Sequence, residues 1–565
     1  MFSEIKNRRF YGASSKLAAK ILACDPIEPI CGKVFRDHGH ELVEKPGLKK
    51  DGLLKIIGEY DGVVVRSGTT MTKELIDAGT KLKIIGRAGT GVDNIDVPSA
   101  TSRGILVVNT PGGNTISTAE LTMSHILALA RNIPQANASL KAGRWDRALY
   151  TGTELSGKVL GVIGVGKIGR EVAKWCRGFG MTTVGYDPVL SEQSARNFGV
   201  DPVSLEELFK TADFITVHTP LTKETANLLN AETLAKCKKG VRIINCARGG
   251  IVNEEALLSA VKAGHVAGAS LDVLEQEPPV EASKELRMHP NIVVTPHLGA
   301  STTDAQERVA RAIAQNMSDI LDGGAFVGVV NSPDLGAIAK QEKLVPFVSL
   351  AERIGSIQGQ LLKNNKIGSI AINLRGKDIS DPRLTEVIKS AVIKGALNEL
   401  GTQLSYVSAL SVAEEMGLKV LVNMSEKTEA GSGYINSLGV ELEIDGVFNC
   451  SRVIEGTVFG SNELRITKID GYAVDLPHGE NILMWNNYDR PGVLKKVMDK
   501  LAEASINIAH FSMGRQAKGS KAMGAVVLDT PAPDEVLTGL AKYADISNVV
   551  QVCFLICLVR VSLIF

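Results

Sequence analysis

Residues Gly161–Asp187 read GVIGVGKIGREVAKWCRGFGMTTVGYD and constrain the fold more than any other stretch. An apolar run, Val159–Ile163, ends at Gly164. Gly166 and Gly169 follow, then a helical stretch, then a second apolar run that closes on Asp187. Gly164 permits the tight turn, Gly166 lets backbone approach a pyrophosphate, and Gly169 allows close helix–strand packing. The helix that starts here aims its free N–H groups at phosphates. Asp187, 18 residues after Gly169, is spaced to take the hydroxyls of an adenosine ribose. Three spaced glycines alone are weak evidence. The strand before, the helix after and the acid together make a dinucleotide unit. Pro188, not Arg, follows Asp187, so nothing adjacent offers to bind a 2′-phosphate, and the pattern points to NAD rather than NADP.

The chain has 565 residues, enough for about three or four domains. Its net charge of +1 gives no basic field for nucleic acid. The cysteines, Cys24, Cys31, Cys176, Cys237, Cys246, Cys450, Cys553 and Cys557, have no CxxC spacing and no neighbouring histidines. No metal site is expected, and a reducing cytoplasmic compartment is the natural reading. The N-terminus carries Lys6, Arg8, Arg9, Lys16 and Lys20 without an apolar core, so it is not a secretory signal. A dispensable leader over residues 1–15 is expected, with a mitochondrial presequence as the alternative. Val549–Phe565 reads VVQVCFLICLVRVSLIF. It is short of the ~20 residues of a membrane helix and is broken by Arg560, so a buried or edge strand is expected and no membrane partner.

From Lys16 to Pro111, short apolar runs (AAKILAC, GVVVRSG, LKIIGRAG, GILVVNTP) alternate with helical stretches. This is the rhythm of a parallel sheet with crossover helices. Thr118–Asn132 reads as a helix apolar on most faces, buried or at a subunit contact. After the dinucleotide unit, strands are expected at 214–220, 241–250, 266–273 and 291–297, and ligands bind at the carboxyl ends of such strands. Ala305–Leu321 reads as a long helix, and the linker with Pro333 marks a domain boundary. Residues 335–475 read as a second α/β region without a catalytic cluster. A closing unit over 480–552 reads βαββαβ, the size of a small-molecule-sensing module, with an apolar tail at 553–565.

Three side chains beyond the glycine motif carry chemistry. Arg248, in CARGG, stands just past an expected strand, where a guanidinium can hold a carboxylate with two parallel hydrogen bonds and polarise an adjacent carbonyl. Glu277 stands in EQEPP and His297 in PHLGA. Removing hydride from a secondary alcohol needs a base for the hydroxyl proton, and an imidazole titrating near neutrality suits it. A carboxylate beside the ring fixes its tautomer and stabilises the imidazolium. Alone, His297 would be an ordinary loop histidine and Glu277 a solvated acid. Their positions after successive strands of a dinucleotide domain raise both.

The motifs GRAGTGVDNID (86–96), GVGKIG (164–169), CARGGIVNE (246–254), LDVLEQEPP (271–279) and PHLGAST (296–302) occur in this order. Over about residues 18–330 they resemble the D-isomer-specific 2-hydroxyacid dehydrogenases. The resemblance implies that Arg248 binds the substrate carboxylate, His297 is the acid/base and Glu277 its partner. For NAD it implies Lys167 and Ile168 at the phosphates, Asp187 at the ribose, and Thr219, Cys246, Ala247 and Arg248 alongside. It puts Asp272 near the nicotinamide amide, and Thr90, His297, Leu298, Gly299 and Ala300 in the cleft lining. The implied fold is α/β: a Rossmann-type NAD domain (111–302) inserted in a flavodoxin-like substrate domain (1–110 with 303–330). An α/β intervening domain and a βαββαβ ACT-like domain follow.

Length and the two extra domains resemble the long members of the family, which oxidise 3-phospho-D-glycerate to 3-phosphohydroxypyruvate at the start of phosphorylated serine synthesis. The resemblance places Arg66 and Arg87 in the substrate domain as cations for the phosphate. It has Arg147 reach a neighbouring subunit's site in a homotetramer. Serine-inhibited relatives use a histidine and asparagines at positions that match Asn487, Asp489 and Asn507. Only Asn507 keeps the pattern, so an amino-acid effector is implied without assignment to serine. Two rivals stay open. One is a dehydrogenase of glyoxylate, hydroxypyruvate or 2-oxoglutarate. The other is a non-catalytic NAD-sensing corepressor, against which the ACT-like unit argues.

Overall fold

Short apolar runs closed by glycine and polar turns build four sheets in the computed structural model. It describes residues 18–322, 326–338, 341, 343–362, 367–401, 404–428, 433–444 and 451–554. The expected leader, most of the apolar tail (555–565), Cys450 and Cys557 lie outside the described residues. The chain divides into two compact units: Thr110–Ala312, and the described residues on either side of it.

Thr110–Ala312 is built on a sheet of parallel strands. Their order is Ile292–Val294, Val266–Leu271, Val241–Asn245, Phe214–Val217, Val159–Ile163, Thr182–Tyr186, Asp201–Pro202. This is the doubly wound dinucleotide order with one strand added, and the order reverses between Val159–Ile163 and Phe214–Val217. Side chains alternate between two cores, as the strand period demands. Leu160, Val162, Phe214 and Ile244 face Met123 and Ile126 of helix Thr115–Arg131 and Val172 and Cys176 of helix Lys167–Gly178. Ile163, Ile215, Val217 and Ile243 face Leu208, Leu234, Leu257 and Val261. Each fully buried aliphatic contributes about 1.5–3 kcal/mol. A one-residue slip would exchange the two sets and cost both cores at once.

Several strands stop before their expected ends. Phe214–Val217 leaves His218–Pro220 to a loop, and Val241–Asn245 leaves Cys246–Gly250. Side chains replace the ladder there. Asn245 Nδ2 donates to the Arg248 carbonyl (2.8 Å), and the Ala247 N–H donates to Asn245 Oδ1 (3.0 Å).

In the other unit, five parallel strands run Glu41–Glu44, Lys20–Ala23, Gly62–Val65, Ile84–Arg87, Leu106–Val108, the flavodoxin-like order. A second sheet follows helix Val345–Leu362. It runs Lys419–Ser425, Ile367–Arg375, Ser437–Ile444, Ser451–Phe459, Glu463–Ile469, Tyr472–Pro477, antiparallel except for its first pair. Helices Val345–Leu362 and Pro382–Asn398 pack at backbone distance through three glycines. A Cβ on Gly355, Gly359 or Gly395 would fall 2.2, 2.4 or 2.0 Å from the opposing carbonyls of Val392, Ala396 and Glu352.

The closing unit is βαββαβ, antiparallel in the order Ile508–Arg515, Lys521–Leu528, Asn481–Tyr488, Ile546–Cys553. Helices Val493–Glu503 and Asp534–Ala541 bury Val497, Leu501 and Leu540 with Trp485. Gly524 stands opposite Trp485 and leaves room for the indole. The expected apolar tail begins inside the last strand, which is an edge strand.

This unit meets the preceding sheet and helix through side chains and through Gly514, where a Cβ would fall 2.3 Å from the Ala473 carbonyl. His510 Nε2 donates to the Asp475 carbonyl (2.7 Å), and the Asp475 N–H donates to Ser512 Oγ (2.9 Å). Gln360 exchanges two bonds with the Cys553 backbone (2.8 and 2.9 Å), and the Arg353 guanidinium lies over the Phe554 ring. Among the described residues no helix is long and apolar enough to cross a membrane.

Candidate active site

The glycine turn is built as its spacing demands. Gly164 has φ +90°, and a Cβ there would meet the His218 carbonyl at 2.7 Å. A Cβ on Gly169 would meet the Gly164 carbonyl at 2.1 Å. Gly166 faces open space and is the N-cap of helix Lys167–Gly178, with no side chain capping that end. Lys167 and Ile168 therefore open a helix whose first N–H groups have no intrahelical acceptor. The Lys167 ammonium donates to the Pro111 carbonyl (3.2 Å).

Asp187, just past strand Thr182–Tyr186, accepts from Val165 N–H at Oδ2 (2.9 Å) and from Val189 and Leu190 N–H at Oδ1 (2.9 and 3.1 Å). These bonds fix the carboxylate and leave one of its about four lone-pair positions, on Oδ2, open. Across the switch point, Thr219 Oγ1 and His218 Nδ1 are buried atoms with no hydrogen-bond partner. Burial pushes the His218 imidazole down to about 4, so it is neutral. A glycine cradle, a bare helix N-terminus, a fixed acid and an orphaned hydroxyl all fit a dinucleotide.

The three expected catalytic side chains come from three successive strand ends of this unit. His297 Nδ1 and Glu277 Oε2 are 2.7 Å apart. The hydrogen bond to Glu277 raises the pKa of His297 above its ordinary 6.5, against the opposing effect of burial. Burial pulls Glu277 upward, but the bonds from His297 and from Leu274 N–H (3.0 Å) outweigh it, and the carboxyl ends below its usual range. The charge of Arg248 favours ionised Glu277 and opposes protonation of His297. Arg248 Nη1 donates to the Ala247 carbonyl (2.7 Å). Gly249 seats this loop against the next one, since a Cβ there would lie 1.8 Å from the Leu274 carbonyl. Cys246 is buried and its thiol is pushed up to about 12 by burial, so it packs rather than reacts.

Asp272 is 1 % exposed, and its carboxylate organises the histidine loop. Oδ1 accepts from Leu298 N–H (2.7 Å) and Thr295 Oγ1 (2.6 Å), Oδ2 from Gly299 N–H (2.9 Å), and its carbonyl from His297 N–H (2.9 Å). Thr118 Oγ1 donates to the Gly299 carbonyl (3.1 Å), and Gln306 Nε2 to the Ala300 carbonyl (2.5 Å).

The other unit carries Thr90, Arg66 and Arg87. Both arginines stand at carboxyl ends of strands in its parallel sheet. Asn94 ties them together: its Oδ1 accepts from Arg87 Nε (3.2 Å), and its Nδ2 donates to the Arg66 carbonyl (2.6 Å). Asp25 accepts from Arg66 N–H (2.6 Å), and the Thr90 carbonyl accepts from Asn109 Nδ2 (2.6 Å). Arg147 is exposed, in a short 3-10 turn beside Trp145 and Leu149.

In the closing unit, Asn487 is buried and its amide is committed to Trp485 Nε1 (3.1 Å) and the Tyr488 carbonyl (2.8 Å). Asp489 accepts from Gly519 N–H (3.0 Å) and Arg515 (2.9 Å), which hold its carboxyl below the usual range. Asn507 is exposed and donates to Asp529 (2.6 Å).

Sequence reasoning passed over Asn245, Thr295, Asp25 and Asn94. Asn245, Thr295 and Asp25 are polar residues within or just past a short apolar run, and Asn94 stands in the polar loop after one. That position was the available signal, and it is shared with ordinary turn formers.

The family model described as "D-isomer specific 2-hydroxyacid dehydrogenase, NAD binding domain" matches residues 123–299. The model described as "D-3-phosphoglycerate dehydrogenase intervening domain" matches 343–470. D-3-phosphoglycerate dehydrogenase of Synechocystis sp. is 41% identical over 533 residues, 94% of each chain. That of Bacillus subtilis is 42% identical over 494 residues, 87% of this chain and 91% of the relative. The crystal structure of the TT0316 protein from Thermus thermophilus superposes with a TM-score of 0.51 at 35% identity, over 55% of this chain and 99% of that one. With an NAD-binding domain, an intervening domain and near-complete coverage of these relatives, the chain belongs to the D-3-phosphoglycerate dehydrogenase family.

Proposed function

We propose that the chain catalyses the NAD-dependent oxidation of 3-phospho-D-glycerate to 3-phosphohydroxypyruvate, the first step of phosphorylated L-serine synthesis. The observation that carries this reading is the His297–Glu277 pair, charge-coupled to Arg248 in the dinucleotide unit. Glu277 accepts the hydrogen bond of the His297 Nδ1–H, which fixes that tautomer and leaves Nε2 as the base for the C2 hydroxyl. Arg248 supplies two parallel donors for the carboxylate and polarises C2. NAD, when bound, accepts the hydride. Asp187 orients the ribose, and the helix opened by Lys167 and Ile168 faces the phosphates. Arg66 and Arg87 provide the cations that a phosphate ester needs, with Arg147 contributed by another subunit.

A homo-oligomer, read as a tetramer, is supported by the segment around Arg147. Ile133, Leu140, Trp145 and Leu149 are 55, 57, 78 and 71 % exposed, a run of large apolar side chains that association would cover. The βαββαβ fold supports an amino-acid effector, with half-buried Asp489 and exposed Asn507 as its polar groups. The six described cysteines are unpaired thiols, which suits a reducing cytoplasm.

The test is NADH oxidation by the purified chain with 3-phosphohydroxypyruvate beside hydroxypyruvate, glyoxylate and 2-oxoglutarate. Strong preference for the phosphorylated substrate, lost in Arg66→Gln or Arg87→Gln, is the expected result. Equal rates on the unphosphorylated acids would select the broader dehydrogenase reading. NADH binding without turnover would select a sensor.

A further inference from the structure

His125 is a histidine that neither the sequence motifs nor the proposed chemistry uses. It lies on helix Thr115–Arg131 and is 3 % exposed, yet both ring nitrogens are engaged. Nδ1 is 2.5 Å from Ser270 Oγ and Nε2 is 3.0 Å from Thr295 Oγ1.

The proton on each atom follows from the far end. The Asp272 carboxylate can only accept, so Thr295 gives it its one hydroxyl proton (2.6 Å). Thr295 Oγ1 must then receive a proton from the ring, which puts N–H on Nε2. Burial lowers the basicity of His125, against a smaller opposite pull from Asp272, and a neutral ring leaves Nδ1 bare for the Ser270 hydroxyl. The chain therefore runs one way: Ser270 to His125 to Thr295 to Asp272. Asp272 holds the N–H groups of His297, Leu298 and Gly299 through its carbonyl and carboxylate.

We propose that His125 is a positioning residue for the reaction: its ring directs the hydrogen-bond chain that fixes Asp272 and, through it, the backbone that presents His297. The role rests on the dehydrogenase reading above.

The test compares full-length H125L, H125Q and T295V with the unsubstituted chain for kcat, KM, NADH affinity by fluorescence, and thermal midpoint. H125Q keeps an amide donor near Nε2, H125L removes it, and T295V removes the relay hydroxyl. Misplacing the reacting groups costs up to about 100-fold. H125L and T295V should each lose roughly 10- to 100-fold in kcat, with KM for 3-phosphohydroxypyruvate within about threefold. The double variant should be no worse than either, as expected for one shared chain, and H125Q should recover most of the loss.

Unchanged kcat in H125L, or a loss that H125Q does not recover and that follows the thermal midpoint, would make His125 a packing residue. If H125L does not fold, T295V against H125Q decides in the same way. If the unsubstituted chain does not turn over 3-phosphohydroxypyruvate, the functional reading fails separately. NADH affinity then carries the comparison: weakened in H125L and T295V but not H125Q supports the role, and equal affinities overturn it.

Discussion

His297 sits at φ +54°, a left-handed conformation that costs a non-glycine residue about 1–3 kcal/mol. Its N–H bonds to the Asp272 and Thr295 carbonyls (2.9 and 3.0 Å) hold it there. His297→Ala should lower turnover ~10²–10⁴-fold, and steady-state kinetics with both substrates saturating will measure it. Oxidation needs a neutral ring, and Glu277 lifts the pKa of that ring above 6.5. Oxidation should therefore rise with pH through an apparent pKa above 6.5, while reduction, which needs the protonated ring, should fall through the same range. Glu277→Gln removes the main cause of the lift, so both limbs should move to lower pH. A pH–rate profile of each direction checks the sign.

At this scale the sequence was legible where a residue type has one physical use. Gly164 and Gly169 leave no space for a Cβ, and Asp187 closes its strand. Asn245 and Thr295 were not legible, because their work depends on which loop lies opposite. The position matched to Asn487 turned inward, since strand alternation puts it on the Trp485 side.

Elements were read from periodicity, and their ends were less legible than their existence. Thr303–Leu321 begins two residues earlier than its apolar face suggests, and Ile546–Cys553 runs past Val549 in both directions. Strands next to the site end early because Asn245 and Asp272 take over the ladder's hydrogen bonds. The contact between helices Val345–Leu362 and Pro382–Asn398 was not legible, because Gly355, Gly359 and Gly395 read only as poor helix formers. Their value lies in the absent Cβ. Gly395→Leu has no flexible neighbour to displace, only the Glu352 carbonyl and the Ser356 backbone nitrogen. It should destabilise the chain by about 1–3 kcal/mol or more, seen as a lower midpoint in thermal or urea unfolding. The dinucleotide site lies in the other unit, so its NADH affinity should hold below the transition.

For the whole molecule, alternating runs and ordered motifs made the four-sheet plan legible. How copies associate was not, since an exposed apolar side chain and a buried one look alike in sequence. Trp145→Asp with Leu149→Asp should lower the assembly mass measured by light scattering without disturbing the far-ultraviolet circular dichroism. An unchanged mass would place the interface elsewhere.

The seam between the closing βαββαβ unit and the sheet before it has a further consequence. His510, Ser512 and Gln360 reach across to backbone, but among the described residues no strand of one sheet pairs with a strand of the other. A gene that lost or exchanged its last segment would therefore leave the remaining sheet with every ladder intact. Such a seam lets a closing unit be recombined onto a dehydrogenase as a cassette, provided that the close approach of Gly514 to the Ala473 carbonyl and the buried Arg353 are kept.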